Sequence, residues 1–203
     1  MKSETARLEF FSDAVFAIAI TLLILDVKIP PREEQVIPAL LHEWPSSAAF
    51  LVSFASIGAM WVNHHRLFLL IRKADDTLLV LNLLVLLGVT VVPFSTGLLA
   101  EHMRGPDQRI AALLYNGTFL YTALAFGVLW RYASTHELLG EDATVPVYFY
   151  HLSRRRVGPI LYLICVIIAW FDARASFIAN AATALFFALV PTVMGDRRHS
   201  LQE

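Results

Sequence analysis

Residues 78–100 read LLVLNLLVLLGVTVVPFSTGLLA, a run with one amide, Asn82, and no charged side chain. As a helix rising 1.5 Å per residue, such a run crosses the ~30 Å hydrocarbon core of a bilayer. Inside hydrocarbon the backbone must satisfy its own hydrogen bonds, which a lone apolar run does as a helix. The rest of the chain agrees. Hydrophobic residues make up 57% of the 203 and charged residues 16%, against roughly 45–50% and ~25% in soluble chains. Too little polar surface remains to coat a water-soluble core. Six apolar segments stand out: residues 8–25, 45–71, 77–100, 110–130, 157–170 and 173–194. The expected fold is an all-α membrane protein of six transmembrane helices in one unit, residues 1–203. The fifth helix is expected to be short, and the break Phe171-Asp172-Ala173-Arg174 implies a tight hairpin into the sixth.

Pro31, Pro45, Pro106, Pro146 and Pro159 fall at or near these ends, where proline is tolerated. Pro93 and Pro191 lie within helices three and six, where neighbouring helices can satisfy the freed carbonyls. With the N-terminus inside, only Lys28, Arg32, Arg104, Arg109 and Arg174 of the 16 basic residues face out. That bias favours cytoplasmic N- and C-termini. The longest loop, residues 132–156, is then cytoplasmic, with residues 147–151 at the interface. A net charge of −1 points to neither nucleic acid nor an acidic substrate. The single Cys165 excludes a disulfide framework within the chain. Residues 14–25 resemble a signal peptide in apolarity. Asp13, Glu4, Glu9 and the poor cleavage site Asp26-Val27-Lys28 argue that the segment is retained.

The first segment, residues 4–30, reads ETARLEFFSDAVFAIAITLLILDVKIP. Asp13 within a membrane helix costs ~2.5–3.5 kcal/mol on insertion scales and needs a partner. On a wheel at 100° per residue, Phe11, Ile18, Leu22 and Leu25 fall within an arc of about 60°, flanked by Ala14 and Thr21. Asp13 lies about 140° from Ile18, on a nearly opposite face. Helix two carries Trp61-Val62-Asn63-His64-His65-Arg66. If the first two helices are antiparallel neighbours, Asp13 and this cluster sit at similar depth. An Asp–His or Asp–Trp hydrogen bond then offsets the cost of burial. The plainest reading is a structural network pinning two helices. A pH-sensitive gate through His64 or His65 and a metal site remain alternatives; adjacent histidines point about 100° apart, which weakens the metal reading. An aliphatic stripe alone is ordinarily packing or lipid contact.

The segment Arg7-Leu8-Glu9-Phe10-Phe11-Ser12-Asp13 matches Arg-x-x-x-Phe-Ser-Asp, the signature of the transmembrane protein 175 family of potassium channels. The likeness runs on through Leu23 and includes Trp61, His64 and His65; helices four to six match in layout only. The chain resembles prokaryotic members, which carry the motif once. That resemblance implies a multi-pass protein of a prokaryotic plasma membrane, assembled as a homotetramer around one pore lined by helix one. It places a hydrophobic constriction on Ile18, Leu22 and Leu25, with Ile18 narrowest, and a selectivity position at Thr21. Arg7, Phe11, Ser12 and Asp13 would hold helix one against its neighbours; the wheel puts Arg7 and Phe11 on the stripe side. The permeant species would be potassium, with membrane lipid as the surrounding partner and neither cofactor nor nucleic acid involved.

A ring of aliphatic side chains offers no ligand to replace hydration water, so it closes by dewetting. Opening would widen the neck or turn Thr21 inward, and selectivity for the more cheaply dehydrated potassium would be moderate. No helix carries the spaced arginines of a voltage sensor, so gating is expected to be voltage-independent. The rivals are a secondary transporter or proton-conducting protein, with Pro93 and Pro191 the only hint of broken helices, and an intramembrane enzyme. HExxH, GxSxG and paired intramembrane aspartates are absent, so no enzyme is expected. Arg154-Arg155-Arg156 reads as a topology determinant touching anionic lipid. Asn116-Gly117-Thr118 is a sequon buried in helix four, and Asn180 and Thr183 read as interhelical hydrogen-bonding groups.

Overall fold

The computed structural model describes residues 5–27, 37–38, 42–140 and 145–199. Lys2, Lys28, Pro31 and Arg32, which entered the charge and proline readings, lie outside the described residues. Among the described residues six long helices make up the fold: α1 Ala6–Leu22, α2 Trp44–Leu70, α3 Asp76–His102, α4 Gln108–Thr135, α5 Val145–Phe171 and α6 Ala173–His199. Four of them are long and apolar enough to span a membrane, the first counted with its 3-10 extension Leu23–Asp26. The other two are 27 residues long and carry shorter apolar stretches, Val157–Phe171 and Ala173–Leu189.

Local chemistry sets the ends. Pro45 opens α2, where its missing N–H costs nothing. The Asp75 side chain caps α3 by accepting from the Leu78 N–H at 2.8 Å. Asp172 accepts from the Arg174 and Ala175 N–H groups at 2.8 and 3.0 Å, so the expected break is the cap of α6. Two expectations fail. The connection after α4 is not residues 132–156 but the span between Thr135 and Val145, and Pro159 lies inside α5 rather than at its end. Residues 145–156 mix a few aliphatic residues with aromatic ones and end in Ser153 and three arginines, so an apolar run stops where the helix does not. The apolar part of α5 is 15 residues, but the helix is not short.

The outer surface is aliphatic, and the buried polar groups lie within an otherwise apolar core that includes Val85, Val89, Val92 and Leu99. On α3, Leu79, Val80, Leu83, Leu87, Val91 and Phe94 are exposed, whereas Asn82, Ser95 and Thr96 are buried. Buried hydroxyls bond each other, Ser53 Oγ to Thr96 Oγ1 at 2.8 Å and to Tyr115 Oη at 3.0 Å. Asn180 donates to Asn116 Oδ1 at 2.9 Å, joining α6 to α4 through the buried sequon asparagine. Thr183 instead donates within α6, to the Ala179 carbonyl, and reaches only Cys165 of α5, at 4.0 Å. α3 and α4 form the most extensive pairing, and Gly88 permits it: a Cβ there would collide with Thr122 Oγ1.

At one end of the bundle the two connections are bonded to each other. Arg72 N–H donates to the Leu138 carbonyl and Gly140 N–H to the Leu70 carbonyl, both at 2.9 Å. Asp75 also accepts from Tyr132 Oη at 2.8 Å. The C-terminal ends of α2 and α4 and the starts of α3 and α5 therefore share one membrane face. α1 packs against α2 and α3 and leaves its far side uncovered.

Candidate pore-lining helix and its anchor

The buried residues of α1 and its extension are Leu8, Ser12, Phe16, Ala19 and Leu23, spaced by three or four and so lying on one face. Arg7, Phe11, Ala14, Ile18, Thr21, Leu22 and Leu25 are exposed on the opposite side. Ile18 is 59% exposed, Leu22 41% and Leu25 75%. The 3-10 tightening over Leu23–Asp26 leaves Leu25 outward. Thr21 Oγ1 donates to the Ile18 carbonyl at 2.9 Å. With its proton committed there, the Thr21 oxygen presents lone pairs to whatever it faces.

The buried face is fixed by polar contacts to two helices. Ser12 Oγ donates to the Leu8 carbonyl at 2.8 Å and accepts from Asn82 Nδ2 of α3 at 2.9 Å. Asn82 Oδ1 lies 2.9 Å from His64 Nε2 of α2. A single amide thus joins α1, α3 and α2. His64 is 1% exposed and sits among aromatic rings, with centroids 4.5 Å from Phe68 and 5.4 Å from Phe16. A step outward, Trp61 Nε1 donates to Asp13 Oδ1 at 2.9 Å, and His65 stacks on Trp61 at 6.0 Å.

The structure brings Ser12, Asp13, Trp61 and His64 into this assembly and attaches His65 only by stacking. Asp13 meets Trp61 rather than a histidine. Arg7 and Phe11 are placed apart from it, on the exposed side with Ile18. Asn82 was missed as a site residue. Its signal was present all the same, because a lone amide in an apolar membrane run must find a partner. Among the described residues no group of three His, Cys, Asp or Glu side chains converges as a metal would require.

These features define a polytopic helical membrane protein whose N-terminal helix is locked by polar groups on one side and presents an aliphatic face on the other. Residues 7–93 match the family described as the endosomal/lysosomal potassium channel TMEM175. A potassium channel of Chamaesiphon minutus is 45% identical over 193 residues, which span 93% of this chain and 95% of that protein. The crystal structure of a lysosomal potassium-selective channel TMEM175 homologue from Chamaesiphon minutus superposes with a TM-score of 0.79 at 43% identity, covering 92% of this chain and 97% of that one. The endosomal/lysosomal proton channel TMEM175 of Mus musculus is 34% identical over 142 residues, 64% of this chain and 28% of the mouse protein. The chain belongs to the TMEM175 family, whose members are ion channels and not enzymes.

Proposed function

We propose that this chain, residues 1–203 acting as one unit, is a subunit of a potassium-selective, voltage-independent channel. One observation carries the reading: α1 is held at a set rotation by Ser12, Asn82, His64, Trp61 and Asp13, and so presents Ile18, Thr21, Leu22 and Leu25 outward. Four copies packed around an axis would cover those side chains and leave a pore between them. The proposed assembly is a homotetramer in the plasma membrane of a prokaryote, with cytoplasmic termini and lipid around α3 to α6. Arg7 and Phe11, uncovered in the single chain, would contribute at contacts between copies.

In this reading Ile18, Leu22 and Leu25 form the constriction. Moving an unpaired ion into such a neck without its water costs tens of kcal/mol in the low-dielectric limit, so the closed neck blocks by dewetting. Opening requires widening or rotation of α1. Thr21 then supplies four hydroxyl oxygens that replace part of the hydration shell, and potassium gives up that shell more readily than sodium. No step needs a cofactor. The mouse relative's description as a proton channel supports a second reading, in which protons also pass.

Potassium flux in proteoliposomes tests both. Ile18→Asn should raise basal flux by admitting water to the neck, and Thr21→Ala should lower the potassium-to-sodium permeability ratio. Unchanged flux and selectivity in both variants would sink the proposed pore. Saturable, concentrative uptake would favour a transporter instead. A pH-sensitive dye inside the same vesicles reports proton entry, and a silent dye under an imposed proton gradient removes the second reading.

A further inference from the structure

We propose that the cleft between α2, α4, α5 and α6 is a binding site for an anionic phospholipid, with the phosphate on Arg66 and part of one acyl chain inside. The cavity there has a volume of about 110 Å³ and lies on the side of α2 away from α1. It exists because Ala59, Ala123, Gly127 and Gly158 line it with little or no side chain. At Gly158 an added methyl would come into ordinary contact with Phe187 and Ala123, at 3.7 and 3.8 Å, and so would occupy part of the hollow. The remaining wall is apolar and aromatic, with Met60, Leu67, Phe126, Tyr162 and Phe187. An apolar hollow of this kind suits methylene groups better than water, which needs several polar partners.

Arg66 and Asn63 are the polar exceptions in that lining besides Ser56 and the ring edges of Trp130 and Tyr162. Arg66 is half-buried, and among the described residues no hydrogen bond or ion pair engages its guanidinium. It stands four residues before Leu70, the end of α2, which places it roughly 6 Å from the helix end, at headgroup depth. A planar fork of donors matches a phosphate bidentately, and basic pockets between membrane helices bind anionic headgroups. From Arg66 the cleft descends along α2 past Met60 to Ser56, the direction an acyl chain takes below its headgroup. Charge and shape therefore select the same occupant. Neither the anchor of α1 nor its aliphatic face takes part, so this site stands whether or not the proposed pore does.

The full chain in detergent, offered phosphatidylglycerol or phosphatidylcholine with identical acyl chains, provides the test by native mass spectrometry and thermal shift. The wild type should retain phosphatidylglycerol at least tenfold better, and Arg66→Gln should reduce retention to the phosphatidylcholine level. Arg66→Lys, which keeps charge but loses the fork, should fall between. Gly127→Leu fills the cleft and should reduce retention of both lipids. Arg131→Gln removes an exposed arginine at the same membrane face, outside the lining, and should leave retention unchanged. Equal retention of the two lipids by the wild type would overturn the site. So would phosphatidylglycerol retention that survives Arg66→Gln, or that falls equally in Arg131→Gln. If Arg66→Gln does not fold, the ordering of wild type, Arg66→Lys and Gly127→Leu decides, and no difference among them refutes the proposal.

Discussion

Replacing Asn82 by Leu keeps the branching and heavy-atom count of the side chain and removes both hydrogen bonds it makes, to Ser12 and to His64. Interhelical hydrogen bonds in membrane proteins average ~0.6 kcal/mol in double-mutant cycles, so the two together account for about 1.2 kcal/mol. Ser12 keeps its bond to the Leu8 carbonyl and is not stranded. His64 is stranded. At 1% exposure it cannot turn to solvent, and a buried polar group without a partner costs ~1–3 kcal/mol. The expected loss for Asn82→Leu is roughly 2–4 kcal/mol, at its lower end about a thirtyfold change in the folded-to-unfolded ratio. His64→Leu removes one of those bonds and the stacking on Phe68, but leaves Asn82 bonded to Ser12. The double variant has no stranded nitrogen. It should be less destabilised than the sum of the two single variants by about 1–2 kcal/mol, since removing both partners of a buried bond is nearly neutral. Unfolding of the three variants and the wild type in bicelles, followed by tryptophan fluorescence, supplies the cycle. Additive effects, or a loss below about 0.5 kcal/mol for Asn82→Leu, would refute the bridging role. Because the amide joins α1 to α2 and α3, potassium flux should fall or become leaky in the same variants. Flux identical to wild type in a clearly destabilised Asn82→Leu would separate folding from the set of α1.

Gly88→Ala should destabilise by about 1–3 kcal/mol by overpacking, because the new methyl meets Thr122 Oγ1, itself held by its bond to the Thr118 carbonyl. Gly97→Ala should be close to neutral in the same melt, since the atoms it meets at 2.8–3.0 Å belong to the exposed Asp26 carboxylate, which can move, and alanine gains about 1 kcal/mol of helix propensity over glycine. Asp75 accepts from the Leu78 N–H and the Tyr132 hydroxyl, in that order of effect, and these hold its carboxyl below the usual carboxylate range. A lowered folded-state value means that the stabilisation is present above the unfolded value of ~3.9 and is lost as pH falls through the folded one. Tyr132→Phe raises the folded value, so acid unfolding of that variant should begin at higher pH than in wild type; superimposable acid-unfolding curves would contradict the assignment.

Residues 78–100 determined the class by themselves, because hydrocarbon accepts no unpaired backbone and a long uncharged run has one way to comply. The same argument placed the other apolar segments, and helical periodicity alone separated the Ile18 stripe from Asp13. Asn82 stood out only as the one amide of that run, and periodicity did not reveal that it bridges Ser12 and His64. Composition could not carry α5 back to Val145, since residues 145–156 are helical but not continuously apolar, and it misjudged Pro159 for that reason. The choice between His64 and His65 was closed to it as well. Adjacent residues differ by about 100°, so which one meets Asn82 depends on the rotation of α2. That rotation is decided by Ile57, Met60 and Phe68 packing into the bundle. Tertiary structure turned His64 inward to the amide and His65 outward onto Trp61, and it left Arg7 and Phe11 uncovered. Local sequence fixes which groups must be satisfied; only the packed helices decide which pairs satisfy them, because a hydrogen bond needs its partners within about 3 Å and sequence spacing does not measure distance between helices.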